Sequence, residues 1–274
     1  MTTIAINALG TGVTGGGRSA GLNVLRGLLA ADGARRYLLF LDQAEPELAN
    51  DGERVVQIVA PVRGRVLARL WAQATWPVLF RREGVALVHH LNSVGALGLP
   101  CRQVYTVHDL TTLYYPQIYL PSDVLLWRYV QPYMLRRAVA VVAVSQETAA
   151  DLARFFALPE GLVHVIYNAY APRFAPASPA DCEAVSARYA GGGRYVLHVG
   201  CISRKKNLVT LVHAYEALRA RGYGGWLVFA GRRYEKGHDQ AFYDAIAASA
   251  YRDEIVLAGD VPDADLPALY SGAD

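Results

Sequence analysis

The stretch YVLHVGCISRKKNLVTLVHAYEAL, residues 195–218, joins two elements with different hydrophobic patterns. Tyr195–Val199 is short and almost continuously apolar, as is typical of a strand that is covered on both faces. Gly200 ends this run. Leu208–Arg221 follows with apolar residues at helical spacing, with Asn207 as the expected N-cap and Gly222 beyond the end. A strand, a glycine turn and a helix in this order predict one unit of a parallel α/β sheet.

The same alternation extends along the chain on both sides of this stretch. Downstream, strands are expected at Trp226–Ala230 and Ile255–Ala258, and helices at Gln240–Ala250 and Ala264–Tyr270. Upstream, a helix is expected from about Ser19, and the strand-like runs are Ile4–Ala8, Tyr37–Leu41, Val55–Val59, Ala86–His89, Val104–Val107, Val139–Val144 and Val163–Ile166. The pattern predicts an α/β protein with two Rossmann-like, doubly wound parallel-sheet domains.

A change in composition marks the expected domain boundary. Residues 171–179 carry three prolines and residues 191–193 are all glycine, with one short helical candidate, Ala180–Tyr189, between them. We therefore expect an N-terminal domain over residues 1–172, a linker over 173–193 and a partial C-terminal domain over 194–274. Because the second domain has only three strands, we expect the chain to be C-terminally truncated; the alternative is a small natural second domain.

Composition excludes several classes of protein. The chain has 274 residues and a net charge of +3, which is too small to indicate a nucleic-acid partner. Three cysteines without a C-x-x-C motif exclude a disulfide framework and a cysteine-rich zinc site. The sequence shows no signal peptide and no apolar stretch long enough to cross a membrane, so we expect a cytoplasmic protein.

Small, basic and titratable residues follow the expected strands, where open parallel sheets bind their ligands. The groups are Gly15-Gly16-Gly17-Arg18, His108-Asp109, Asn168, Arg204-Lys205-Lys206-Asn207, and Arg232-Arg233 with Lys236. They predict a cleft between the domains that suits an anionic ligand. Asp42, after the second strand, is a candidate for holding a ribose.

Each of these groups also has a simpler explanation. The glycine loop brings backbone N–H groups to a helix start, as phosphate binding needs, but it is equally typical of a flexible turn. The cations at 204–206 oppose the helix dipole unless an anion joins them, although a solvated basic turn is the alternative. His108 suits proton donation to a substrate oxygen, or else it is a structural histidine beside an N-capping Asp109. The adjacent His89 and His90 point to opposite faces of a strand and do not indicate a metal site.

Residues 63–82 combine arginines with tryptophans. Arg65, Arg69, Gln73 and Trp76 share one helical face, and Pro77 is expected to kink or restart the helix. Basic residues beside interfacial tryptophans suit weak contact with an anionic membrane surface, which would place the protein at the inner face of the membrane. The alternative is an ordinary helix that covers the sheet, with its arginines in water.

Several stretches together resemble the GT-B glycosyltransferases of family GT4, also called group 1. These stretches appear in the order of the family: GGGR at 15–18, YTVHDL at 105–110, VVAVSQETAADLARF at 141–155, VIYNAYAPRF at 165–174, residues 195–218, VFAGRR at 228–233 and IVLAGDVPDADLPALYSGAD at 255–274. The resemblance implies retaining transfer of a sugar from a nucleotide-diphosphate sugar to a sugar or lipid-linked acceptor, in polysaccharide or glycolipid synthesis. It implies neither a metal nor another cofactor.

The resemblance also implies roles for particular residues. His108 falls beside the donor sugar, with Asp109 and Asn168 on the acceptor or donor-sugar side. Lys206 clamps the donor diphosphate. The other residues that the resemblance places at the donor phosphate are Gly15, Gly16, Gly17, Arg18, Arg204 and Lys205.

The sequence departs from the family pattern at three places. Ala169 stands where a glycine is frequent, and Cys201 stands where many members have an arginine, so that Arg204 or Lys205 would supply the second cation. The third departure is that residues 1–274 do not contain the family's Glu-rich donor segment, which is expected after Asp274. Two other classes stay open: a Rossmann dehydrogenase, for which the glycine loop lacks the dinucleotide fingerprint, and an inactive fragment or pseudoenzyme that only binds a nucleotide or a partner.

Overall fold

The computed structural model describes residues 1–10, 16–92, 95–159, 161–232 and 239–274. The chain divides into two compact units, Met1–Ala169 and Tyr170–Asp274. Each unit is built around its own parallel sheet, so the predicted α/β fold class is confirmed.

The first unit contains a seven-stranded sheet in the order β3-β2-β1-β4-β5-β6-β7, with every pairing parallel. All seven predicted strands are present, with ends that differ from the expected ones by up to two residues. They are β1 Thr3–Asn7, β2 Arg36–Leu41, β3 Val55–Val59, β4 Val85–His90, β5 Arg102–Val107, β6 Ala140–Ala143 and β7 Val163–Val165.

The helices of this unit differ from the expected ones in two respects. The helices are α1 Gly16–Ala31, α2 Arg65–Arg82, α3 Thr111–Tyr114, α4 Pro121–Leu125, α5 Gln131–Leu135 and α6 Gln146–Phe156, with a π-helical segment at Leu126–Val130. The first helix begins at Gly16 rather than near Ser19, so two of the glycines lie in its first turn. Helix α2 continues past Pro77 and does not restart there. The proline removes one helical hydrogen bond, but the buried Trp76 before it and Phe80 after it hold the helix on the sheet.

Apolar side chains cover both faces of the first sheet. Leu38 and Phe40 of β2 face helix α2, where the Phe40 ring lies 4.6 Å from the ring of Trp76. Leu39 and Leu41 face the opposite side and pack with Leu25 of α1. Burial on both faces explains why these strands are continuous apolar runs instead of alternating ones.

The second unit has a three-stranded parallel sheet in the order β10-β9-β8. Its elements are α7 Pro179–Tyr189, β8 Tyr195–Val199, α8 Leu208–Ala220, β9 Trp226–Ala230, α9 Gln240–Ala248, β10 Ile255–Gly259 and α10 Leu266–Gly272. The helix expected at Ala180–Tyr189 is present as α7, and its Val185 packs in one core cluster with Leu269 of α10. In the part of the chain that the structure describes, no helix has the length and apolar character needed to cross a bilayer.

Candidate functional site

His108 lies at the carboxyl end of β5, where several elements of the first unit meet. Its Nε2 donates to the carbonyl of Leu91, the residue after β4, across 2.9 Å. The Leu91 N–H donates in turn to the carbonyl of Asn7, the last residue of β1. The carbonyl of His108 accepts the hydroxyl of Thr148 on α6 at 3.2 Å. The imidazole is therefore at the sheet edge, as the sequence predicts, in an orientation fixed by its neighbours.

Asp109 and Asn168 differ from His108 in how they are held. Asp109 is exposed, and its Oδ1 accepts the N–H of Thr111, the first residue of α3, at 3.0 Å. The N-cap position of α3 is Leu110, so Asp109 lies one residue before the position that the N-capping alternative gave it. Asn168 is exposed beyond the end of β7. The roles of both residues towards a sugar stay predictions.

The glycine loop is described only in part. Gly15 lies outside the described residues, whereas Gly16 and Gly17 are exposed in the first turn of α1. A Cβ atom on Gly16 would meet no other atom within 4 Å, so nothing within the described protein requires a glycine there. A ligand that approaches this backbone closely would require glycine there, because a side chain would block it. Phosphate binding by Gly16 and Gly17 stays a prediction.

Arg18 is paired within the protein. Its guanidinium contacts the Glu45 carboxylate at 2.5 Å, and both side chains are largely buried. The side-chain amide of Gln57 holds the backbone of Glu45 through two hydrogen bonds, of 2.9 and 3.0 Å. The charge that was expected to meet a phosphate is thus already balanced by a carboxylate, which sequence reasoning missed because the partner lies on a different loop.

Asp42, the candidate for holding a ribose, is exposed and already accepts one hydrogen bond within the protein. Its role with a ribose stays a prediction. Both of its carboxylate oxygens accept the N–H of Gly10, at 3.0 and 2.9 Å. The carboxylate therefore links the residue after β2 to the loop after β1.

The two adjacent histidines of β4 have separate partners. His90 is fully buried, with Nδ1 accepting from the Asn7 amide at 2.9 Å and Nε2 lying 3.3 Å from Oε1 of Gln103. His89 contacts the Thr106 hydroxyl through Nε2 at 2.8 Å. Burial lowers the pKa of His90 to about 3 and that of His89 to about 4, so both rings are neutral at pH 7.

In the second unit, the ends of β8 and β9 approach each other through glycines. A Cβ atom on Gly231 would lie 2.0 Å from the carbonyl oxygen of Gly200, a distance at which no side chain fits. Gly231 also has a φ of 153°, which other residues rarely adopt. The packing of the chain itself therefore requires a glycine at position 231, directly after β9.

The basic residues after β8 lie in a turn that precedes helix α8. Arg204–Lys206 forms a separate 3₁₀ turn, and all three side chains are exposed. The sequence places these residues at the opening of the helix, but Asn207 separates the two elements because it adopts a left-handed conformation with a φ of 50°. Asn207 does occupy the N-cap position, yet its side chain accepts the Thr210 hydroxyl instead of a helix N–H.

The three cations of this turn differ from the arginine that follows β9. No carboxylate among the described residues forms an ion pair with Arg204, Lys205 or Lys206. Arg232 contacts the Asp260 carboxylate at 2.5 Å. Arg233 and Lys236 lie outside the described residues. The unbalanced positive charge at the carboxyl end of β8 is therefore on the 3₁₀ turn.

Helix α2 corrects the expected arrangement of residues 63–82. Trp76 is fully buried and shares its face with Ala68, Ala72 and Phe80, which pack on the sheet. It therefore cannot be an interfacial anchor. The side chain of Arg65 lies outside the described part of the structure, and Arg69 is 3.6 Å from Asp123 of α4. The exposed apolar side chains of the helix are Val66, Leu67, Leu70 and Val78.

Comparisons with known proteins agree with this architecture. The sequence profile of Glycosyltransferase Family 4 matches residues 15–174. The O-antigen chain mannosyltransferase B of Escherichia coli is 28% identical over 63% of this chain and 45% of its own length. The 2-deoxystreptamine glucosyltransferase of Streptomyces kanamyceticus is 25% identical over 75% of this chain and 50% of its own length. The chain thus spans about half the length of these curated relatives.

Solved structures with the same fold cover the whole chain. Sucrose-phosphate synthase from Thermosynechococcus elongatus superposes with a TM-score of 0.73 at 19% identity, over 100% of this chain and 74% of its own. Anabaena HepE, solved in complex with UDP-glucose, superposes with a TM-score of 0.72 at 16% identity, over 100% of this chain and 72% of its own.

Proposed function

The chain belongs to glycosyltransferase family 4, and from this premise we propose that it transfers a sugar from a nucleotide-diphosphate sugar to an acceptor hydroxyl, with retention of configuration at the transferred carbon. The observation that carries the proposal is the exposed turn Arg204–Lys206, which has three cations and no carboxylate partner among the described residues. Breaking the bond between sugar and phosphate builds negative charge on the leaving diphosphate. Cations that are already in place stabilise that charge as it develops.

The roles of individual residues follow from the same chemistry. Lys206 clamps the diphosphate, and Arg204 or Lys205 supplies a second positive charge. The backbone N–H groups of Gly16 and Gly17 face the donor phosphate and the acceptor. His108 contacts the donor sugar near the reacting carbon, through the ring nitrogen that does not bond Leu91. The reaction needs no metal, because these side chains balance the diphosphate charge.

The names of the relatives guide the choice of substrates. One relative is a mannosyltransferase that acts on an O-antigen chain and another is a glucosyltransferase. We infer a hexose as the transferred sugar and a sugar or lipid-linked acceptor in polysaccharide or glycolipid synthesis. HepE was solved with UDP-glucose, and one relative is named a mannosyltransferase. UDP-glucose and GDP-mannose are therefore the first donors to test.

A direct assay tests the transferase proposal. The protein is incubated in EDTA with UDP-glucose or GDP-mannose and with extracted lipid-linked glycans, and nucleoside diphosphate release and the product anomer are followed by NMR. We expect acceptor-dependent release and an α-linked product from the α-linked donor. Donor binding without transfer would favour the pseudoenzyme alternative, and an inverted anomer would overturn the retaining mechanism.

A membrane-facing role follows from the exposed side of helix α2. Leu67, Leu70 and Val78 are exposed and lie on the side of the helix that faces away from Trp76. The exposed Arg63 and Arg81 lie at the two ends of this stripe. An apolar stripe flanked by arginines suits weak docking on anionic lipid. The protein would then work at the cytoplasmic face of a membrane, where a lipid-linked acceptor is held.

A further inference from the structure

Two buried polar atoms near the carboxyl end of β8 have no hydrogen-bond partner among the described residues. They are Nε2 of His198, in the strand, and Oγ of Ser203, the residue directly before the basic 3₁₀ turn. Only 7% of the Ser203 surface is exposed. Leaving a buried donor unsatisfied costs free energy, so an unpartnered group that persists in a folded protein needs a specific explanation.

The His198 ring lies against the end of its own strand. A Cβ atom on Gly200 would be 3.4 Å from Nε2 and 3.7 Å from Cε1. The ring centroid is 5.7 Å from that of Phe229 on β9, which offers no hydrogen bond. Burial and the positive charge of Lys206 both lower the pKa of His198, so the free protein holds a neutral imidazole close to an unpaired ammonium group.

Charged groups on the neighbouring elements have partners, so the excess positive charge lies on the basic turn Arg204–Lys206. Arg232 after β9 pairs with Asp260, and on α8 His213 pairs with Glu216. Arg219, also on α8, pairs with Glu254. Arg204, Lys205 and Lys206 lack such partners in the described chain. Two buried polar atoms without hydrogen-bond partners and an uncompensated positive charge thus occur together at the end of one strand.

We propose that Ser203 and His198 are further ligands of the phosphate group that Lys206 binds, with Oγ–H and Nε2–H donating to its oxygens. The inference rests on the proposed function, because that phosphate belongs to the donor diphosphate. Both atoms are closed off from solvent, so the 3₁₀ turn moves outward to admit the anion and closes over it. The hydroxyl and the imidazole then gain the partners that they lack in the free protein.

Phosphate binding at this site is coupled to the uptake of a proton by His198. A bound anion offsets the effect of Lys206 and raises the pKa of His198 above its value in the free protein. Binding in the interval between the two pKa values therefore takes up a proton. The contribution of His198 to phosphate affinity rises as the pH falls through the higher pKa, and it levels off below the lower one.

Calorimetry of the whole 274-residue chain tests the inference. Inorganic pyrophosphate, UDP, GDP and the bare nucleosides are titrated into the wild type, Ser203→Ala, His198→Leu and the control His213→Gln, which changes an exposed histidine of α8. We expect each of the first two variants to lose on the order of tenfold in affinity for pyrophosphate and for the nucleoside diphosphate that binds. Affinity for the bare nucleosides should be unchanged in both variants, and the control His213→Gln should bind all of these ligands as the wild type does.

A second measurement does not depend on how the variants fold. NMR titration of the wild-type histidine side chains, assigned with His198→Leu or by through-bond correlation, should show the pKa of His198 rising when pyrophosphate is added. A pKa that stays constant under saturating pyrophosphate would overturn the inference, as would wild-type affinity in both Ser203→Ala and His198→Leu.

The outcomes also separate this inference from the proposed function. Lys206→Ala is the reference variant. If it weakens pyrophosphate binding while the Ser203 and His198 variants bind as the wild type does, only the further inference is wrong. If Lys206→Ala keeps full affinity, or if the wild type binds neither UDP nor GDP, the donor-binding role of the turn is wrong and the inference fails with it.

Discussion

His108 donates its Nε2 hydrogen to the main-chain carbonyl of Leu91 across 2.9 Å, which joins the residue after β5 to the residue after β4. A carbonyl oxygen only accepts, so in the neutral ring the proton is on Nε2 and the lone pair is on Nδ1. The nitrogen left for a substrate is therefore an acceptor while the ring is neutral, and it donates only when the ring is protonated. A role for His108 at the donor sugar must operate through Nδ1.

Two substitutions separate a chemical role of His108 from its structural hydrogen bond to Leu91. His108→Ala should lower kcat on the order of a hundredfold or more, with a smaller effect on the donor KM, because the contact strengthens in the transition state. His108→Gln keeps a donor for Leu91 but has no titratable nitrogen, so it should fold normally and remain impaired. His164→Gln, at an exposed histidine of β7, is the control. Initial rates of transfer are measured for the wild type and the three variants. An unchanged kcat in His108→Ala would show that His108 has only a structural role.

The strands were predictable because burial on both faces leaves a direct mark in the sequence. Leu38, Leu39, Phe40 and Leu41 alternate between two cores, and every one of them is apolar. Helix ends were less predictable. The low helix propensity of glycine favours a start near Ser19, yet α1 begins with two exposed glycines, Gly16 and Gly17.

The candidate site was predictable only as far as strand ends determine it. His108 and Lys206 follow strands directly, so the sequence indicates their place at a sheet edge. The partners of Arg18 and Asp42 come from other loops, and no periodicity reveals a contact between residues 27 or 32 positions apart. The unpartnered atoms of His198 and Ser203 could not be recognised either, because the sequence shows neither burial nor missing hydrogen bonds.

The pair formed by Arg18 and Glu45 should contribute to stability. Glu45 is buried, so Arg18→Ala leaves an uncompensated carboxylate and should lower the free energy of unfolding by about 1–3 kcal/mol. The double variant Arg18→Ala with Glu45→Gln should recover part of this loss, since the stranded charge is removed. Urea unfolding of both single variants and the double variant gives the coupling energy. Strictly additive losses would show that the two side chains do not depend on each other.

The buried histidines of β4 predict an acid-sensitive fold. The pKa of His90 is about 3 and that of His89 about 4 in the folded protein, against an ordinary value of 6.5. The unfolded chain therefore binds more protons below pH 6.5, and stability falls as the pH drops. Each histidine contributes a slope of about 1.4 kcal/mol per pH unit between 6.5 and its folded pKa. Urea unfolding at pH 7, 6 and 5 measures this slope, which His89→Gln should reduce by about half.

Lys206 gives the sharpest test of the diphosphate clamp. Lys206→Ala should cost roughly 2–4 kcal/mol of transition-state stabilisation, as expected when one preorganised donor is removed. It should weaken binding of the nucleoside diphosphate while barely changing that of the nucleoside. Lys206→Arg should restore only part of the loss, because a planar fork replaces a compact charge poorly. Arg221→Ala, at an exposed cation after α8, is the control. Undiminished diphosphate affinity in Lys206→Ala would show that the turn is merely solvated.

The exposed stripe on helix α2 predicts how the protein meets a membrane. Since Trp76 is buried, the insertion energy must come from the exposed apolar side chains of the helix, of which Leu70 and Val78 are the most exposed at 62% and 67%. Leu70→Glu with Val78→Glu should abolish sedimentation with anionic vesicles and leave stability almost unchanged, because neither side chain is in the core. Binding of the wild type should weaken as salt rises above about 0.1 M, where charges more than about 10 Å apart are screened. Leu218→Glu, at an exposed leucine of α8, should bind as the wild type does. Equal affinity for neutral and anionic vesicles would exclude a contribution from the arginines, and wild-type binding by the double variant would move the docking surface away from α2.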